Sequence, residues 1–168
     1  DLYIDSSGSM PEPGGGYPAG GSPAVLAGAI LILSILRGGG RVRVTSFSGP
    51  GQVGGTDGFL RDPDRLIAAL ALYFAGGTTF PLDLYGARYR GLPQAAAGDT
   101  VQRHVVVLSD DGLTSMFGAG QPEFEGVAAE VRRTLTTATL VLMDRWQRVD
   151  EAAAAAGYDV IRIDSMQD

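Results

Sequence analysis

Apolar positions along the chain follow two rhythms, and their alternation predicts strands and helices in turn. Leu2-Tyr3-Ile4 is a short apolar run that reads as a strand, and the Pro/Gly stretch from Pro11 to Gly21 reads as an irregular flap. Ser22 and Pro23 suit the cap and first position of a helix, the apolar run Ala24 to Leu36 reads as a buried helix, and Gly38-Gly39-Gly40 ends it. Arg41 to Phe47 alternates, with Val42 and Val44 on one side, and the glycine-rich bend from Gly49 to Gly55 predicts a hairpin to a short edge strand. Asp62-Pro63-Asp64 opens a helix whose Leu66, Ile67, Leu70 and Phe74 repeat at helical spacing until Gly76-Gly77 stops it, and Pro81 starts a shorter one. His104 to Leu108 is a continuous β-branched run, the pattern of a central strand covered on both faces. A helix around Glu123 to Leu135, a strand at Ala138 to Met143, a helix around Asp150 to Ala156 and a strand at Asp159 to Ile163 complete the alternation.

Such alternation predicts an α/β fold: a Rossmann-like, doubly wound, mostly parallel sheet of about six strands, with one short antiparallel edge strand and helices on both faces. Residues 1–168 form one domain in this reading. A strand at the very first residues is expected of a domain cut from a longer protein.

Composition narrows the function. The net charge is −6, and the basic residues are all arginines, single or in short pairs such as Arg132-Arg133, which excludes a basic track for nucleic acid. Without cysteine there is no disulfide or thiolate metal site, so a metal must be held by oxygens or by His104, the lone histidine. No apolar run reaches the roughly 20 residues that span a bilayer, and a cytoplasmic location is expected. Gly49-Pro50-Gly51-Gln52-Val53-Gly54 formally fits a dinucleotide fingerprint, but no helix opens after it; the absence of lysine excludes a Walker A loop.

In an open parallel sheet, functional groups gather beyond the carboxyl ends of the strands, where strand order reverses. Asp5, Ser7 and Ser9 follow the first strand with one residue between each, so an extended turn, closed tightly at Gly8, lets them converge. Thr78 lies on a Gly-Gly loop before a helix, with Thr79 as the alternative, and Asp110 lies just past the central strand. Two carboxylates and three hydroxyls are hard oxygen donors suited to Mg²⁺, Mn²⁺ or Ca²⁺; so few carboxylates favour the small octahedral ions, Mg²⁺ first.

Asp5-Ser6-Ser7-Gly8-Ser9-Met10, Gly76-Gly77-Thr78 and Val106-Val107-Leu108-Ser109-Asp110 together resemble the metal-ion-dependent adhesion site of von Willebrand factor A domains, over nearly the whole chain. The resemblance implies that Ser7 and Ser9 coordinate directly, Asp5 and Asp110 directly or through water, and Thr78 depending on state, leaving one position for a Glu or Asp of a protein partner. Asp111, where the family more often has glycine, and the long Pro11 to Gly21 flap depart from the pattern. The lysine-free composition and the Gly-Gly-Thr and Ser-Asp segments resemble the bacterial CoxE-like, MoxR-associated branch, which implies a partnership with a MoxR-type AAA+ ATPase.

The expected function is therefore a non-catalytic, metal-dependent binding module. Two other readings compete: a Mg²⁺-dependent phosphohydrolase using Asp5 as nucleophile, weakened by Ser7 standing where a second acid is needed, and a scaffold in which the metal only stabilises the fold. Asp111 reads as a cap or solvated group, His104 as a surface residue at the start of its strand, and Trp146 as a lid on the core edge.

Overall fold

The computed structural model describes residues 1–10, 22–110, 112–143 and 147–163; the Pro11 to Gly21 flap, Asp111 and Trp146 lie outside the described residues. Six strands form one sheet: β1 (Leu2–Asp5), β2 (Val44–Phe47), β3 (Val53–Gly55), β4 (His104–Asp110), β5 (Thr137–Met143) and β6 (Asp159–Arg162). Their order is β3-β2-β1-β4-β5-β6, with β3 antiparallel and every other pairing parallel. The helices are α1 (Pro23–Arg37), α2 (Pro63–Leu70), α3 (Leu82–Tyr89), α4 (Val127–Arg132) and α5 (Asp150–Ala156).

Side chains alternate across the strands, and each face meets its own helices. Leu2 and Ile4 of β1, Val44 of β2 and Leu108 of β4 pack with Ala24 and Ile32 of α1 and Leu66 and Leu70 of α2. The other face brings Tyr3, Phe47, Val105, Val107, Leu140 and Leu142 against α3, α4 and α5. At its heart Phe80 packs on Tyr3, Phe47 and Tyr85, with ring centroids 5.2 to 5.3 Å apart. The α/β, doubly wound architecture with one short antiparallel edge strand is as expected.

Three local expectations are corrected. The helix through Leu66 ends at Leu70, so Phe74 lies in the irregular segment leading to Gly76-Gly77, despite its helical spacing. The helix around Glu123 to Leu135 is broken at Gly126 (φ 82°), a left-handed residue that separates a 3₁₀ turn at Pro122–Phe124 from α4. The apolar run of α1 is not wholly buried: Leu26, Ile30 and Leu33 share one helical face and are 56%, 59% and 46% exposed. His104 is exposed at the start of β4, its Nδ1 2.8 Å from the Thr137 hydroxyl. Among the described residues no helix is long and apolar enough to cross a membrane.

Candidate metal centre

The chain leaves β1 toward β2 on one side of the sheet and reaches β4 on the other, so strand order reverses between β1 and β4. The carboxyl ends of those two strands carry Asp5 and Asp110. Register pairs Ile4 with Leu108, which sets Asp5 beside Ser109. The Ser109 hydroxyl donates to Asp5 Oδ2 at 2.6 Å, and the Ser7 amide donates to Asp5 Oδ1 at 2.8 Å. That second bond folds the chain back after the strand and brings the Ser7 and Ser9 hydroxyls to 3.1 Å from each other.

The third segment is placed by close approach of glycine backbone. The Gly8 amide donates to the Gly76 carbonyl at 2.9 Å, and the Ala75 amide donates to the Ser6 carbonyl at 3.0 Å. A Cβ at Gly8 would stand 3.2 Å from the Ala75 carbonyl oxygen, so glycine permits this contact. On the far side, the Gly112 amide donates to Asp110 Oδ1 at 2.9 Å. The point where a Gly112 Cβ would sit is 2.9 Å from Thr78 Oγ1 and 3.1 Å from Asp110 Oδ1, so those two oxygens flank one small space. It is the Thr78 side chain that lies there; Thr79 is held through its amide, which donates to the Ser48 carbonyl at 2.8 Å. Among the described residues, Thr78 makes no hydrogen bond.

All five side chains singled out from the sequence thus lie on two strand ends and the loops beside them, at one end of the sheet. Ser9 is exposed and Thr78 half-buried, whereas Asp5 and Asp110 are only 2% and 6% exposed. Neither carboxylate has an ion-pair partner among the described residues. Burial pushes the Asp5 carboxyl above its ordinary value; the bonds from Ser109 and Ser7 pull it back, and the like charge of Asp110 raises it further. Two nearly buried, mutually repelling carboxylates edged by the Ser7, Ser9 and Thr78 hydroxyls fit a hard divalent cation. No place among the described residues gathers three or more His, Cys, Asp or Glu side chains, so hydroxyls and water would supply the remaining oxygens.

Sequence reasoning assigned no part to Ser109, which bonds to Asp5, or to Ser48, which bonds to the loop around Thr78. Their signal was weak: a serine inside or just after an apolar strand, where valine is commoner.

A measurable pH dependence follows. Because the folded state raises the Asp5 pKa, the metal-free protein is most stable with Asp5 protonated and loses stability as pH rises from the ordinary 3.8 through the raised value. In chelator, wild type should therefore lose stability relative to Asp5→Asn over that rise in thermal melts. Mg²⁺ at a hundred times its Kd should return about 2.7 kcal/mol at neutral pH, which Asp5→Asn should largely forfeit.

No family model and no curated protein matches the sequence. Solved structures do. An aerotolerance-related membrane protein from Bacteroides fragilis, crystallised with multiple mutations to serine, superposes with a TM-score of 0.56 over 99% of this chain and 91% of that one, at 14% identity. The three N-terminal domains of the type V pili tip protein Mfa5 from Porphyromonas gingivalis match with a TM-score of 0.45 over 65% of this chain and 19% of that one, at 18% identity. The first likeness establishes a shared α/β fold.

Proposed function

We propose that the chain is a non-catalytic, metal-dependent protein-binding module of the von Willebrand factor A type. In this reading Asp5, Ser7, Ser9, Thr78 and Asp110 hold a Mg²⁺-type ion, with Mn²⁺ or Ca²⁺ as substitutes, and a Glu or Asp of a partner completes its coordination. One observation carries the reading: two nearly buried carboxylates face each other's charge with no basic partner among the described residues, beside the hydroxyls of buried Ser7 and exposed Ser9. Leaving both ionised and unpaired in such a place costs several kcal/mol, which a bound cation offsets.

When bound, the ion supplies an electrophilic position for an anionic oxygen from outside. The protein's own residues do the rest. Ser109 and the Ser7 amide fix both oxygens of Asp5, an arrangement that suits an anchored ligand better than a nucleophile. The Gly112 amide orients Asp110, and Ser9 lies at the exposed edge. The CoxE-like resemblance names the partnership: a MoxR-type AAA+ ATPase acting with this domain on client proteins. Fold likeness to an aerotolerance-related membrane protein of Bacteroides is compatible with a bacterial module of this kind.

Capture on an immobilised MoxR-type ATPase, with Mg²⁺ and with EDTA, tests the partnership. The chain should be retained in Mg²⁺ and released by EDTA, and Asp110→Asn should fail to bind in either. Equal retention in both buffers would leave the metal a purely structural part.

A further inference from the structure

The geometry points to Ser48, just past the end of β2, as a positioning residue that sets the affinity of the metal centre by holding Thr78 in place. This inference rests on the metal-binding reading above. Ser48 is fully buried, and three of its bonds land on residues around Thr78. The Gly76 amide donates to Ser48 Oγ at 3.0 Å, the same hydroxyl donates to the Gly77 carbonyl at 3.0 Å, and the Thr79 amide donates to the Ser48 carbonyl at 2.8 Å. Residues 76, 77 and 79 are therefore pinned, while Thr78 itself makes no hydrogen bond among the described residues.

A hydroxyl is needed at this point because it must both accept and donate. Alanine would do neither, and would take this partner from the half-buried Gly76 N–H and from the Gly77 C=O. The hairpin in turn fixes Ser48: its amide donates to the Gln52 carbonyl at 3.0 Å, and the Gly49 amide donates to Gln52 Oε1 at 3.0 Å. A Cβ at Gly76 would stand 2.1 Å from that Gln52 oxygen and 3.0 Å from Ser48 Oγ, so the loop lies close against the hairpin's polar side chains. The β2–β3 hairpin, which contributes no ligand, thereby fixes the position of one. Outer partners of this kind ordinarily change metal affinity by about 10- to 100-fold.

The test is a double-mutant cycle on Mg²⁺ affinity by calorimetry, comparing wild type, Ser48→Ala, Thr78→Ala and the pair. Ser48→Ala should weaken binding about tenfold in the wild-type background and leave it unchanged in the Thr78→Ala background. A role confined to folding would not depend on Thr78, so equal weakening in both backgrounds, or none in either, overturns the proposal. Amide hydrogen exchange of the wild-type protein gives a second reading that needs no variant to fold. Gly76 and Thr79 amides should be protected in chelator; exchange at open-chain rates would remove the clamp. Failure of the wild type to bind Mg²⁺ would instead fell the metal reading and the clamp together, an outcome distinct from wild-type binding without coupling.

Discussion

Asp110→Asn is expected to lower Mg²⁺ affinity by about 100-fold or more while leaving the metal-free protein at least as stable as wild type. The loss follows from charge: asparagine offers a neutral oxygen where one of only two carboxylates stood, and partners more remote than a carboxylate ligand already change affinity by about 10- to 100-fold. The stability follows from the same charge with the opposite sign. Asparagine can still accept the bond from the Gly112 amide, so the loop turn keeps its anchor. What disappears is the repulsion that Asp110 exerts on the buried Asp5. Calorimetric titration gives the first quantity, and chelator-buffered melts give the second. An undiminished Mg²⁺ heat in Asp110→Asn would remove the metal centre as described. A marked fall in metal-free stability would mean that Asp110 serves the fold rather than the site.

The candidate ligand set was legible in the sequence. The Asp5-Ser7-Ser9 spacing, a threonine after paired glycines and an aspartate ending a β-branched run each name a residue type with one chemistry, and the strand pattern put them at the same end of the sheet. The sheet itself was legible because strands buried on both faces have no polar rhythm to mislead: Val105 to Leu108 could only be central. Harder to read were features set by tertiary contact. Phe74 keeps helical spacing with Leu66 and Leu70, yet the chain must leave the helix after Leu70 to deliver Gly76 against Gly8, and the contact outweighs the propensity. Gly126, inside the span expected to be one helix, adopts a left-handed conformation that ends one segment before the next begins. Ser48 and Ser109 were invisible for a different reason: the role of each depends on a partner about 28 to 104 residues away, which no local pattern encodes.

Phe80→Ala is expected to be the most damaging single change to the fold, and the least informative about the metal. The ring is fully buried and packs tilted on Tyr3 and edge-on to Phe47 and Tyr85, so it joins β1, β2 and α3 at a single point. Truncating a buried phenylalanine costs about 3–5 kcal/mol through lost burial and the cavity left behind, against about 5–15 kcal/mol for a whole domain. Urea unfolding should therefore place Phe80→Ala close to the limit of folding, and a loss below about 1 kcal/mol would contradict the packing of this core. Phe80→Leu keeps most of the volume and should remain folded. The backbone at this position is held independently of the ring: its amide donates to Ser115 Oγ at 2.9 Å, and its carbonyl accepts from Gln121 Nε2 at 3.0 Å. Thr78, two residues upstream, is positioned by the Ser48 bonds to its neighbours rather than by aromatic packing. Mg²⁺ affinity in Phe80→Leu should consequently stay within about threefold of wild type even as stability falls, since polar stitches and apolar packing act here on different residues. A large loss of affinity in that variant would show the two to be one cooperative unit, with the aromatic core reaching into the site through the loop that follows Gly77.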